Sequence, residues 1–476
     1  MIGFGTLDLV VLVVYLVAIT AWGAWLGRGQ KSATDYFLGN RSLPWVAVML
    51  SVVATETSTL TFLSIPGVSY AGSLVFLQLT LGYLLGRVLV STLFLPAYYE
   101  GALTTAYELL ERRFGLGARR FTSAIFMVTR LLADSVRLFA TAIPLALITG
   151  WPYPASIVVI GILTVVYTYF GGIKAVVWVD AVQMGLYLFG ALATVIAVQL
   201  LVPSGWTNVL ISSATAGKMQ LLDFSLDPTV PYTIFAGLFG GSVFTMASHG
   251  TDQLIVQRLL TCKDQRSAQK ALVGSGVVVL IQFFLFLMVG LGLWAFYGGR
   301  QFESPDEIFA TFIVQQLPPG LTGFLIAGVF AAAMSSLSSS INSLASATAY
   351  DYWAPMVGAR DDETRILKAG KVFTLVWAAL LIAGAILFIP LSQGTSAVEV
   401  ALGIASLVYG GLLGAFALGV FTRRPGQLAV IVGVAVGIGT VTLFRDQMAW
   451  PWYVLVGSSV TFMVGSIIGR FEPEVV

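Results

Sequence analysis

Charge is what this sequence has least of. Only 10% of its 476 residues are Asp, Glu, Lys or Arg, against about 25% in a soluble domain. Its one cysteine, Cys262, excludes an internal disulfide. It has a single histidine, His249, so its polarity is oxygen-rich and almost free of sulfur and imidazole. No metal-hydrolase, nucleophile-elbow, phosphate-loop or dinucleotide pattern occurs, so nothing points to an enzyme. With no ATP-binding module, any pumping must draw on an ion gradient. A net charge of +2 calls for no nucleic-acid partner, and nothing requires an oligomer.

What is abundant is apolar sequence: 57% hydrophobic residues, with a mean hydropathy of +0.90. Runs of 18 or more apolar residues recur from end to end, the mark of a polytopic helical membrane protein with the lipid bilayer as its solvent. The first run lacks a basic n-region and a cleavage site, so it reads as a span and not a signal peptide. Thirteen spans are expected, at 7–27, 44–71, 74–99, 120–149, 153–171, 174–202, 231–258, 271–298, 320–353, 368–390, 396–421, 426–444 and 451–469. The stretch 299–320 reads as a loop with a small helix. The chain 1–476 is read as one transmembrane domain. With the N-terminus outside, nineteen Lys and Arg residues, Arg119 and Arg258 among them, fall on the cytoplasmic side. Lys218, Arg300 and Arg445 fall outside. This bias sets the orientation, with a cytoplasmic C-terminus in a multi-pass protein of the cell membrane.

Spans two to six (44–202) and seven to eleven (231–421) form two sets of five in opposite orientations. An extra helix precedes them at 7–27, and two follow at 426–469. The first span of each set is interrupted. Span two carries Ser51, Thr55, Glu56, Thr57, Ser58, Thr59 and Thr61 before Pro66-Gly67, and span seven carries Gly237, Gly240, Gly241 and then His249-Gly250-Thr251-Asp252. Broken helices at matching places in inverted halves mark a transporter's midplane site. Span nine holds seven serines between Ser335 and Ser346, with Asn342 among them. Ala332, Ser335, Ser336 and Ser339 share one helical face. Those hydroxyls serve either close helix packing or a cation, and with the broken helix beside them they read as half of a sodium site.

Other polar groups have two readings each. Asp180 lies inside span six, as an ion ligand or as one half of a structural pair with a nearby base. Arg130, Asp134 and Arg137 share one face of span four. They form either a self-neutralising cluster or, with two bases to one acid, leave an arginine for an anionic substrate. Glu56 can ligate a cation, carry a proton or bind an amine, or it can pair with Arg87 or Arg137. His249 abuts Asp252 and either senses pH or touches substrate, or is a packed, hydrogen-bonded group, which is the favoured reading. The tryptophans, Trp450 included, read as interfacial anchors.

Four stretches carry a resemblance: SVVATETSTLTFLSIPG, GGIKAVVWVDAVQ, DQLIVQR and AAAMSSLSSSINSLASATAYD. Together they resemble the sodium/solute symporters, which include transporters of glucose, iodide, monocarboxylates, multivitamins, proline and sialic acid. The likeness covers nearly the whole chain and is strongest to the iodide, monocarboxylate, multivitamin and sialic-acid branches. It implies an all-α, LeuT-type 5+5 inverted repeat. It also implies a main sodium site of Ala54, Thr57 and Ala332 through carbonyls and Ser335 and Ser336 through hydroxyls. A second sodium site would use Asp180, Ser338 and Ser339 with Ser335. Substrate positions carry over less well. A Glu-Gln pair of sugar-binding members becomes Leu60 and Thr61, two polar positions of the next span become Thr80 and Tyr83, and an asparagine becomes Asp252. These changes argue against a hexose. Sialic-acid members use an arginine in span four, near which Arg130 and Arg137 stand. With Thr55 and Glu56 these residues make the candidate solute site.

The reading is a secondary active transporter that carries Na+ with a small solute, a small organic anion such as a carboxylate, into the cell by alternating access. The alternatives are a proton-coupled carrier and sodium symport of a neutral solute such as a sugar or amino acid.

Overall fold

The computed structural model describes residues 4–101, 103–302, 305–391 and 397–472, and among them every regular element is a helix or helical turn. In chain order the longer ones are α1 (Thr6–Leu26), α2 (Trp45–Glu56), α3 (Thr59–Ala71), α4 (Leu77–Leu93), α5 (Leu116–Thr149), α6 (Tyr153–Leu201), α7 (Ser242–Gly250), α8 (Gln253–Leu259), α9 (Gln265–Tyr297), α10 (Leu321–Ala347), α11 (Glu363–Phe388), α12 (Ala397–Phe421), α13 (Gln427–Phe444) and α14 (Pro451–Ile468). They cover each of the thirteen expected segments. Among the described residues, eight helices are long and apolar enough to cross a membrane singly, or nine with the bent pair α2–α3. Helix α6 carries two expected spans in 49 residues. The loop at 299–320 contains a helix, Pro305–Gln316.

The outside of the bundle is apolar. Val14, Ile162, Leu192 and Leu443 are exposed, which suits acyl chains and not water. The inside is where the hydroxyls are. In the serine helix, 94% of the apolar window is buried, against 22% in α1. Helix α10 therefore runs through the middle of the molecule, packed on α6, α1, α5 and α11.

Three breaks shape the interior. Helices α2 and α3 bend by 62° about Thr57 and Ser58, where Thr57 leaves the helical region at ψ 90°. The Ser58 amide turns to the Glu56 carbonyl at 3.1 Å, and the Thr61 amide turns to the Ser58 hydroxyl at 3.4 Å. The carbonyls of Ala54 and Thr57 thereby lose the amides four residues on that a continuous helix would give them. The second break is at Gly172, with φ +53°. A side chain there would begin 2.6 Å from the Tyr36 carbonyl oxygen, so the turn between spans five and six favours glycine. The third is span seven, which opens with a π-turn at Ala236–Gly241 and breaks again at Thr251 and Asp252. Asp252 accepts the Leu254 amide at 2.9 Å and so caps α8.

Candidate sodium and solute site

The α2–α3 break packs against the middle of α10. Thr55 and Ser339 hydroxyls lie 3.2 Å apart, and the Thr59 hydroxyl donates to the Val329 carbonyl at 3.1 Å. The break, with its two carbonyls without amide donors, thus lies alongside α10. On the serine face Ser336 is buried, and its Oγ has no partner among the described residues. A buried hydroxyl without a partner is costly. Beside it is a void of about 10 Å³ lined by Ser58, Thr59, Asp134, Arg137 and Ser336, among others, roughly the room one water or ion occupies. Of the five expected sodium ligands, only Ser336 lines this void. In the same helix Ser346 is likewise without a partner, but it lies away from the void. Spare carbonyls, an unpartnered hydroxyl and a small polar void are the chemistry a hard monovalent cation needs.

The second set, Asp180, Ser335, Ser338 and Ser339, also comes together, with its oxygens engaged. Asp180 accepts the Ser335 hydroxyl at 2.7 Å and the Ser51 hydroxyl at 2.6 Å. The guanidinium of Arg258 is 3.2 Å from Asp180 Oδ2 and also hydrogen-bonds Ser339. Ser338 and Ser339 donate to the Ser335 carbonyl at 3.0 and 2.6 Å. Arg258 was expected on the cytoplasmic side; it is fully buried. Arg119 likewise is buried, 2.7 Å from Asp351.

The cavity next to this centre measures about 210 Å³. Of the expected solute residues, Thr55, Glu56, Thr61, Tyr83, Arg130 and Arg137 line it. Thr80 is buried and donates to the Leu77 carbonyl of its own helix at 2.8 Å, away from that lining. Asp252 stands behind Arg130, paired with it and accepting the Tyr409 hydroxyl at 2.8 Å. The side chain of Leu60 lies outside the described residues. Ser58 and Arg137 line both the cavity and the small void, so the two spaces adjoin.

The charges are arranged in pairs. Arg130 is shared between Asp252 and Asp134, and Arg137 reaches Asp134 at 3.1 Å. The other Asp134 oxygen accepts Ser340 at 2.5 Å. The set is therefore two arginines to two carboxylates, since Asp252 supplies an acid that helix spacing alone does not reveal. Arg130 is spent on Asp252 and Tyr409. Among the described residues, the Arg137 guanidinium hydrogen-bonds Asp134 alone, and its side chain is 23% exposed. On the opposite wall Glu56 pairs with Arg87, as one reading of it expected. His249 turns to that pair, with Nε2 3.1 Å from Arg87 and Nδ1 2.9 Å from the Ser248 hydroxyl.

Sequence reasoning missed the aromatic wall. Phe76 and Phe283 stack at 5.3 Å, and Phe244 and Trp450 meet edge to face at 5.5 Å. With Tyr409 these rings line the cavity. Trp450 reads as an interfacial anchor in sequence because it adjoins a span end, and nothing local signals that α12 and α14 close the site.

A bundle with broken helices, a hydroxyl-bearing helix beside a break and an adjoining cavity is the form of an ion-coupled secondary transporter. The profile of the sodium:solute symporter family (SSF) matches residues 36–437, and the chain belongs to that family. It is 30% identical over 453 residues to the human sodium/iodide cotransporter, covering 91% of this chain and 69% of that one. It is 30% identical over 476 residues to the sodium/sialic acid symporter NanT of Aliivibrio fischeri, covering 97% and 92%. Among solved structures it matches the substrate-bound outward-open state of a Na+-coupled sialic acid symporter, reported with a novel Na+ site. There the TM-score is 0.90 at 28% identity, over 99% of both chains. A nucleobase-cation-symport-1 family transporter shares the fold at TM-score 0.59 and 15% identity, over 93% of this chain and 95% of that one. The fold is thus the LeuT-type helical architecture, and the protein is a sodium-coupled symporter of a small solute, not an enzyme.

Proposed function

We propose that this chain carries one small organic anion with sodium across the cell membrane, N-terminus outside and C-terminus in the cytoplasm. The halves 44–202 and 231–421 are its inverted repeats. Sodium is held by the carbonyls of Ala54, Thr57 and Ala332 and the hydroxyls of Ser335 and Ser336, joining α2–α3 to α10. The anion is held by Arg137, with Thr55, Thr61 and Tyr83 around it and the aromatic rings over its body. The observation that carries this is the unpartnered Ser336 hydroxyl beside a small void whose lining residues Ser58 and Arg137 also line the cavity, where the Arg137 guanidinium hydrogen-bonds Asp134 alone among the described residues.

Coupling is differential affinity. Sodium favours the state in which the α2–α3 break and α10 are joined, and that state completes the solute cavity. Each sodium entering down the potential contributes about 2.3 kcal/mol per 100 mV. The test is uptake in proteoliposomes with sodium and proton gradients imposed separately. Solutes are chosen by a thermal-shift screen of carboxylates, sugars and amino acids in sodium and in potassium. Accumulation driven by sodium alone, for a carboxylate, is expected. Accumulation driven by the proton gradient would overturn the ion. Accumulation of a neutral sugar in place of carboxylates would overturn the anion.

A further inference from the structure

Asp134 sits where the small void and the arginines meet. Its Oδ1 accepts Arg137 Nη1 at 3.1 Å and stands 3.5 Å from Arg130 Nη1, and its Oδ2 accepts the Ser340 hydroxyl at 2.5 Å. It is 3% exposed, yet it lines the void beside the unpartnered Ser336 hydroxyl. It is not one of the expected sodium ligands. Ser58, Thr59 and Thr141 line the same void, so a carboxylate there is joined by hydroxyl-bearing residues on α3, α5 and α10 and at the α2–α3 break. Arg137 lines the void too, and it lines the solute cavity as well.

We propose that Asp134 is the carboxylate through which sodium and the anion act on one another: Arg137 holds it while the void is empty, and turns from it to the cavity when a cation comes to Ser336. Charge forces the exchange. Arg130 and Arg137 balance Asp134 and Asp252, so the set is neutral as it stands. Arg130 is fixed by Asp252 and Tyr409. Arg137 is 23% exposed and hydrogen-bonds Asp134 alone among the described residues, so it is the guanidinium of the pair that is free to turn. A cation alone leaves this set with one positive charge in excess, and an anion alone leaves it with one negative. Either is disfavoured inside a low-dielectric bundle, and the two together restore neutrality. Each occupant therefore raises the affinity for the other. Once a cation compensates Asp134, the Arg137 fork is available to a carboxylate in the cavity. A neutral solute restores no balance, so Asp134 selects the charge of the solute without touching it.

The proposal rests on the sodium and anion sites of the preceding subsection, and sodium alone tests it. Purified protein is titrated with radioactive sodium in the absence of solute. Arg137→Gln removes the competing guanidinium and should bind sodium about tenfold more tightly than the wild type, even though the same change weakens solute binding. Asp134→Asn should bind sodium about tenfold more weakly. In the Asp134→Asn background, adding Arg137→Gln should leave sodium affinity unchanged, because the two changes act through one contact. A folded Arg137→Gln that binds sodium no better than the wild type overturns the proposal, as does an equal gain in the Asp134→Asn background. Should Asp134→Asn not fold, the Arg137→Gln titration decides alone. Ser336→Ala checks the sodium site itself and should weaken sodium binding whatever Asp134 does. If it leaves sodium affinity unchanged, the sodium site fails and this proposal with it.

Discussion

Ser336 and Arg137 both reach the candidate site with polar atoms left unspent, among the described residues. Under the proposed sodium site, replacing Ser336 with Ala removes one ligand. The sodium half-saturation for uptake should rise about tenfold, the effect of roughly 1.4 kcal/mol, with little change at saturating sodium. Ser343, whose hydroxyl serves the Ser340 carbonyl of its own helix, should tolerate Ala with sodium activation unchanged. The two span-four arginines should separate in the same way. Arg137→Gln should weaken solute half-saturation by about 10–100-fold, as expected for a lost charge-assisted bond of about 1.5–3 kcal/mol, and leave the protein folded. Arg130→Gln strands buried Asp252, at about 3–5 kcal/mol, and should lower the melting temperature. Uptake kinetics and thermal unfolding of the pair check this. The arginine-and-acid set was half visible in sequence, because helix spacing ties Arg130 and Arg137 to Asp134. It says nothing of Asp252, which arrives from another helix, or of Ser340, whose hydroxyl reaches Asp134.

Among the helices, the breaks carry the function and were the most legible feature. Serine, threonine and glycine in an apolar run announce that the backbone must find partners outside its own ladder. The cluster around Thr57 and the His249–Asp252 stretch both proved to be real interruptions. What sequence could not give is which carbonyls lose their donors, since that depends on where Ser58 turns. The join at Gly172 is the plainest test at this scale. Gly172→Ala places a side chain at φ +53° against the Tyr36 carbonyl and should cost about 1–3 kcal/mol. The readout is a lower midpoint of thermal unfolding, with sodium affinity preserved in the folded fraction.

Across the whole bundle, the expected cytoplasmic ends of α5 and α10 are tied by charge. Arg119 bridges Asp351 at 2.7 Å and Glu111 at 2.5 Å, and Arg360 reaches Glu111 at 2.9 Å. Partial burial raises the Glu111 carboxyl's pKa, but bonding to and charge from Arg119 and Arg360 outweigh it and hold it below the usual 4.5. A depressed carboxylate stabilises the fold above its unfolded pKa and loses that contribution as pH falls through the folded value. The wild type should therefore lose stability below about pH 4.5 more steeply than Glu111→Gln, measured as melting temperature against pH. Arg119 and Arg258, both assigned to the cytoplasmic side by the charge bias, are buried and paired with Asp351 and Asp180. Hydropathy places a residue near a span end without saying whether its side chain turns out to water or in to a partner.

The sequence by itself determined the solvent, the helical class, the interrupted spans, the serine face and the family. Each of these follows from composition, a helical period or a run of residues read in order. Only the tertiary structure decided that Trp450 and Tyr409 wall the cavity, that Asp252 balances the arginines, and that Arg258 pairs with Asp180. The physical reason is that a buried charge is defined by its partner. Here the partner of Arg130 is 122 residues away and that of Arg258 is 78, separations that no local pattern spans.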